Sequence, residues 1–197
     1  RVAIFQTALN NGASLAFNNS GAYTYQSKTI TFGSSGGGII SSTGTLKMNG
    51  TTISTTGGST NYFNGTLVDL STPIFDVADG TDDVDLEVGF SFNRGGFTKN
   101  GAGKLLLTNA SNNLQTNAIT INAGLLEIGA TGRLLNGSYA GNITNGGTFI
   151  YSGTSAQTLS GIISGSGALT QNAASTLTLS NASNSYTGAT TINAGTI

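Results

Sequence analysis

The chain contains no cysteine, no histidine and no tryptophan. Without cysteine there can be no disulfide and no thiolate metal site. Without histidine the commonest general base and metal ligand is missing. Proline occurs once, at Pro73, in a chain with 30 glycines, which excludes collagen and proline-rich linkers. Charge is scarce as well. Only 8% of residues are Asp, Glu, Lys or Arg, against about 25% in ordinary soluble domains. The net charge of −1 offers no clustered basic surface for nucleic acid. No apolar run approaches the roughly 18 residues of a membrane-spanning helix. The start, Arg1-Val2-Ala3-Ile4-Phe5-Gln6, lacks the charged-then-apolar pattern of a signal peptide. The expectation is that any signal has been removed or lies upstream.

What remains is 37% hydrophobic, with Gly, Ser, Thr and Asn making up most of the rest. Disordered chains combine low hydrophobicity with high net charge, and this one does not. The 197 residues can therefore bury a core. Thr, Ile, Val, Phe and Tyr suit a pleated, half-buried surface, and Asn and Gly suit tight turns. The composition is all-β. Lack of cysteine does not argue against secretion, because a long stacked core is stable without covalent staples, unlike a small secreted domain.

The chain repeats itself. Phe97 aligns with Leu169, Leu105 with Leu177, and Asn109-Ala110-Ser111-Asn112 with Asn181-Ala182-Ser183-Asn184, all at an offset of 72. One residue is lost near Gln115. Thr120-Ile121-Asn122-Ala123-Gly124 then recurs as Thr191-Ile192-Asn193-Ala194-Gly195, at an offset of 71. Each copy carries short alternating strands, an Asn-rich turn and an Asn-Ala-Gly turn. Short, evenly spaced strands fit a sandwich, a propeller or a solenoid. Asn-Gly hairpin signals do occur, but at no fixed place in the repeat. The expected fold is a right-handed, single-stranded parallel β-helix of about 20–25 residues per coil, the offset being about three coils. Leu105, Leu107, Ile121 and Leu126, with Leu177, Leu179, Ile192 and Ile197, are expected inside. Asn side chains at equivalent turns are expected to form amide ladders.

The string Ser175-Thr176-Leu177-Thr178-Leu179-Ser180-Asn181-Ala182-Ser183-Asn184-Ser185-Tyr186-Thr187-Gly188-Ala189-Thr190-Thr191-Ile192-Asn193-Ala194-Gly195-Thr196-Ile197 closely resembles the autotransporter-associated β-strand repeat, also called the passenger-associated transport repeat. The resemblance is good over 167–197 and moderate over 95–126, where Leu114-Gln115-Thr116 replaces Tyr-Thr-Gly. Segment 141–170 is similar to the stretch that precedes such a repeat, and 1–70 agrees in composition only. The organisation expected is one continuous solenoid over 1–197, with divergent coils in 1–94. The resemblance implies a bacterial protein secreted through the outer membrane and displayed on the cell surface. There the repeat acts as scaffold and folding driver, and it carries no catalytic residues. The sequence contains no barrel of its own.

Chemistry-bearing residues are few. Six of the eight acids are Asp76, Asp79, Asp82, Asp83, Asp85 and Glu87. Asp76, Asp79, Asp82 and Asp83 around Gly80 have the oxygen-rich look of a Ca²⁺ loop, without the spacing or closing Glu of an EF-hand. The preferred reading is an exposed or salt-bridged turn, with Arg94, Lys99 and Lys104 one coil above; no cofactor is expected. Paired carboxylates also suggest glycoside hydrolysis or a uronate lyase, but here they crowd one turn, His is absent and basic residues are few, so no enzyme is expected. Tyr23 with Tyr25, and Phe90 with Phe92, share strand faces and are read as core or cap, with a glycan-stacking face as the alternative. The function expected is a stalk, with an adhesin for glycans or neighbouring cells as the second reading. Because Ile197 falls inside a repeat, the chain is expected to continue beyond it or to stack head-to-tail into a fibre.

Overall fold

The structure is a computed structural model that describes residues 7–9, 14–17, 23–25, 29–32, 39–49, 52–71, 73–89, 91–93, 95–110 and 117–197. Among these residues every strand ladder is parallel. The only helical element among the described residues is the single 3₁₀ turn Leu135–Gly137. The strands form an 8-stranded, an 11-stranded and a 3-stranded sheet, and along each backbone path they follow one another in chain order. That order is what a coil produces when each turn pairs with the turn before it. We call these sheets 1, 2 and 3. Register partners lie 20 residues apart at Ile143 and Ile163 and 24 apart at Ile119 and Ile143. The coil length thus matches the expected range.

Period-two alternation sets the core. In sheet 2 the column Leu86, Leu105, Leu126, Phe149, Leu169 runs up the axis in register, and every member is at most 1% exposed. A second column, Val88, Leu107, Ile128, Tyr151, Gln171, runs beside it. In sheet 1 Ile30, Ile53, Phe75, Lys99, Ile121 and Asn145 stack likewise. Phe75 and Phe97 meet edge to face, with centroids 5.5 Å apart. Inward residues stack on inward residues because each coil must pair its backbone with the next at about 4.8 Å, which leaves side chains no freedom to stagger.

Turns follow the same rule. In the two Asn-Ala-Gly turns, Gly124 and Gly195 have φ of +67° and +74°. A Cβ on Gly195 would stand 2.2 Å from the Ser175 carbonyl oxygen of the coil below, so glycine is needed for conformation and for space. The asparagines form the expected ladder: Asn122 Nδ2 donates to Asn100 Oδ1 at 2.7 Å, and Asn193 Nδ2 to Asn172 Oδ1 at 3.0 Å.

The repeat and the coil are not the same unit. Phe97 stacks under Ile119, Ile119 under Ile143 and Ile143 under Ile163. Three coils above Phe97 the column has therefore reached Ile163, not Leu169. The offset of 72 is three coils plus one side. The strand Phe97–Asn100 lies in sheet 1, whereas its sequence equivalent Ala168–Gln171 lies in sheet 2. Likewise Lys104–Leu107 is in sheet 2 and Leu177–Leu179 in sheet 3.

Leu105, Leu107, Ile121, Leu126 and Leu177 are buried as expected. Leu179 and Ile197 are only partly buried, and Ile192 is 52% exposed. Ile192 does stand on the inward column, directly above Gln171. Its strand, Thr190–Ile192, stands at one end of the sheet 2 order. The side chains of Tyr23, Tyr25 and Phe92, together with Phe90, Arg94 and Leu114-Gln115-Thr116, lie outside the described residues.

Truncating Leu105 to alanine should destabilise the solenoid by about 2–5 kcal/mol, the range for a buried leucine. Leu106→Ala, on the outward side of the same strand, should cost well under half as much. Denaturant unfolding of the two variants checks the strand phase directly.

Candidate functional site

The acidic stretch forms the corner between sheet 1 and sheet 2, after the strand Ile74–Asp76 and before Leu86–Val88. Asp76, Asp79, Asp82 and Asp83 are exposed, as expected of a turn. Their side chains do not converge: among the described residues no three acidic groups are placed to share a metal ion. Instead they act singly, between coils. Asp82 Oδ2 accepts from the Thr60 backbone N–H at 2.9 Å and from its hydroxyl at 3.2 Å. Asp83 Oδ2 pairs with Lys104 Nζ at 2.8 Å. Lys104 also reaches Glu127 Oε2 on the coil above, at 3.3 Å. The expected placement of a basic residue one coil over the acids therefore holds for Lys104. Burial alone would lower the Lys104 pKa, but its bonds to Asp83 and Glu127 hold it above the ordinary lysine value.

Two charged residues depart from the expectation. Asp85 is only 2% exposed. Its Oδ1 accepts the Gly80 N–H and its Oδ2 the Lys104 N–H, each at 2.7 Å. It therefore staples its own turn to the next coil with two charge-assisted bonds. Nothing in sequence marks it, because it lies out of phase with the inward pair Leu86 and Val88. Lys99 does not reach across to the acids; it is fully buried. Its Nζ donates to the carbonyls of Asn100 at 2.7 Å, Gly101 at 2.8 Å and Ala123 at 3.3 Å. A signal for this was present, since Lys99 is in period-two phase with Phe97 and so points inward. Burial lowers its pKa to about 8, against the opposing pull of Asp76 and Asp85.

Amides play the same part elsewhere. Gln157 bonds the buried Leu134 peptide on both sides, accepting its N–H at 2.8 Å and donating to its carbonyl at 3.2 Å. Gln171 Nε2 donates to Ala173 and Ser175 carbonyls, both at 2.9 Å. Asn145 Nδ2 donates to the Ala168 carbonyl at 2.8 Å. The interior polar groups are turn fasteners: each satisfies backbone that a corner leaves unpaired. A shallow recess of about 220 Å³ opens beside Gly96, Phe97, Thr98, Asn117, Ala118 and Thr120. No titratable side chain lines it.

Geometry thus defines a class first: a parallel β-solenoid whose charged and amide side chains hold coils together. Comparison with known proteins places a family repeat on two stretches of the chain. The model of the passenger-associated transport repeat matches residues 97–128 and 169–197, and these two stretches are copies of that repeat. No curated protein and no solved structure matches the chain.

Each matched stretch covers one coil and the first two sides of the next. In the first, Phe97 stacks under Ile119, Lys99 under Ile121 and Leu105 under Leu126. In the second, Leu169 stacks under Thr190, Gln171 under Ile192, and Thr176 under Thr196. The two halves of the motif are therefore hydrogen-bonded partners of each other.

Stability should vary with pH through Lys99. In the unfolded chain it keeps its proton up to the ordinary value of 10.5, whereas in the fold it releases it at about 8. Between those values the unfolded state binds more protons, so stability should rise with pH, by at most about 3 kcal/mol. Above about pH 10 the trend should reverse. Burial raises the pKa of Tyr139 and of Tyr151, so the unfolded state ionises first. Urea melts from pH 7 to 11 should show this dome, and Lys99→Met should remove its rising limb. Adding Ca²⁺ or a chelator should leave the melting temperature unchanged; a rise of several degrees with Ca²⁺ would make 76–87 a metal site.

Proposed function

We propose that this solenoid is a scaffold, the stalk of a secreted bacterial cell-surface protein of the autotransporter-passenger type. Its role is to span distance and to fold reliably outside the cell. The observation that carries this reading is the self-stacking of the repeat. A segment whose second half pairs with its first needs no other part of the molecule to begin coiling, and each further coil needs only the one beneath it. Two further features support it. The side chains usually spent on chemistry, Lys99, Asp85 and Lys104, are committed to backbone or to inter-coil ion pairs. The outward column of sheet 1, Thr98, Thr120, Thr144 and Ser164, is uncharged and hydroxylated, which keeps that face wet without a binding chemistry of its own. No catalytic step is assigned to the acidic corner.

The test uses the whole surface protein on living cells. Replacing the stacked pair Leu105 and Leu126 with aspartate should abolish surface display, measured with antibody on intact cells, because two charges would enter a dry column. Replacing the outward Thr98 and Thr144 with alanine should leave both display and cell aggregation unchanged. Loss of aggregation or glycan binding in the outward variant, with display intact, would replace the stalk reading with an adhesive one.

A further inference from the structure

Parallel pairing settles which residues face inward, but not how far each coil is advanced over the one beneath it. A slip of one residue would turn the apolar set outward, and burial forbids it. A slip of two keeps the phase. Leu126 stands over Leu105 and Ile128 over Leu107; after such a slip Ile128 would stand over Leu105, one aliphatic side chain in place of another. Ile119 stands over Phe97 and Ile121 over Lys99; the slip would put Ile121 over Phe97. The strand hydrogen bonds would be remade as well, since the backbone is the same at every residue. Apolar columns and ladders therefore leave the stack open to slips of two.

Buried polar side chains do not. In sheet 1 the six rungs from residue 52 onward begin at Thr52, Ile74, Phe97, Ile119, Ile143 and Ile163, which mark six coils and the five interfaces between them. Each interface is crossed by a buried polar side chain. Asn61 Nδ2 donates to the Asp85 carbonyl at 3.1 Å, across the first. Asp85 Oδ2 accepts the Lys104 N–H at 2.7 Å, across the second. Lys99 Nζ donates to the Ala123 carbonyl at 3.3 Å, across the third. Gln157 holds both polar groups of the Leu134 peptide, at 2.8 and 3.2 Å, across the fourth. Asn145 Nδ2 donates to the Ala168 carbonyl at 2.8 Å, across the fifth. These five residues are at most 2% exposed. Each is also bonded to backbone of its own coil, at Ser59, Gly80, Gly101, Thr158 and Gly147 respectively. The polar tip is thus held in place by its own coil and meets one particular backbone group on the neighbour.

We propose that these five residues are register keys, which together admit a single advance of each coil over the last. A slip of two residues moves the partner group by about 6.6 Å along the strand, well outside hydrogen-bond reach. The buried tip is then left unpaired, which is costly, while the apolar columns lose nothing. A buried asparagine fixes the register of a coiled coil by the same physics. Stalk or adhesin, a solenoid needs one register, so the keys are independent of the function proposed above.

The test is disulfide trapping in the purified chain, which has no cysteine of its own. Thr98 is in register with Thr120, and Ala118 and Asn122 are the outward positions two residues to either side. Thr98→Cys is combined in turn with Ala118→Cys, Thr120→Cys and Asn122→Cys. In the native background the 98–120 pair should close and the others should not, because diagonal neighbours lie about 7–8 Å apart, at or beyond disulfide reach. Lys99→Met should leave the chain folded and raise closure of 98–118 or 98–122 at least tenfold. Lys99→Gln, which keeps a donor, should hold both near the native level. Asn145→Leu probes a second interface in the same way, with Thr144→Cys against Ile162→Cys, Ser164→Cys or Ser166→Cys, the in-register partner being Ser164. Closure of in-register pairs alone in both apolar variants would overturn the keys. So would slipped closure in Lys99→Gln equal to that in Lys99→Met, or slipped closure that appears only with loss of the β fold by circular dichroism.

Discussion

Everything in this molecule depends on one constraint: each coil must satisfy its backbone hydrogen bonds with the coil above and the coil below. Parallel pairing over rungs 19–25 residues apart leaves no slack for side chains to stagger. Inward residues must therefore stack on inward residues, and the columns Leu86 to Leu169 and Ile30 to Asn145 follow. The same constraint governs the turns. A corner that bulges breaks the pairing of the next coil, so the recurring Asn-Ala-Gly turns use glycine where backbone passes directly over backbone, as at Gly124 and Gly195. Asparagine amides close the remaining gaps along the axis.

The constraint also explains why polar groups sit inside a chain with so few charges. Strands pair with their neighbours, but corners leave carbonyls and N–H groups facing inward. Water cannot reach them, so side chains must. Lys99, Asp85, Gln157, Gln171 and Asn145 each do so at a different corner. They differ in charge but share one geometry, a long or forked polar tip bonded to the backbone of its own turn or of an adjacent coil. The acidic corner, which in sequence looks like a metal loop, is part of this pattern. Its carboxylates meet backbone N–H groups and Lys104 instead of one another.

The transport repeat takes on a physical meaning in this setting. As a stretch of sequence it looks like a unit to be laid end to end. In space it is a coil lying on itself, and its two copies begin on different sheets. The motif therefore specifies stacking and does not specify a side of the solenoid. That is consistent with pairing by backbone alone, which is the same on every side. It also accounts for the variety of residues between the two copies, where only the inward phase and the corner geometry need be kept.

Much of this was legible in the chain itself. All-β composition, the alternation Leu105, Leu107 and Leu177, the Asn-Ala-Gly turns and the length of the coil depend on local period and on φ preference, which sequence carries directly. So does the inward phase of Lys99, which alternation with Phe97 already implied. Other features depended on what lies 20-odd residues away. Asp85 is buried because Gly80 and Lys104 close over it. The two repeats lie on different sheets because coil lengths of 20 to 24 accumulate to less than the repeat offset. Sequence determined which residues could face inward and where the chain could turn. Tertiary structure decided which polar groups met, because partners in a solenoid are set by the summed length of every coil between them.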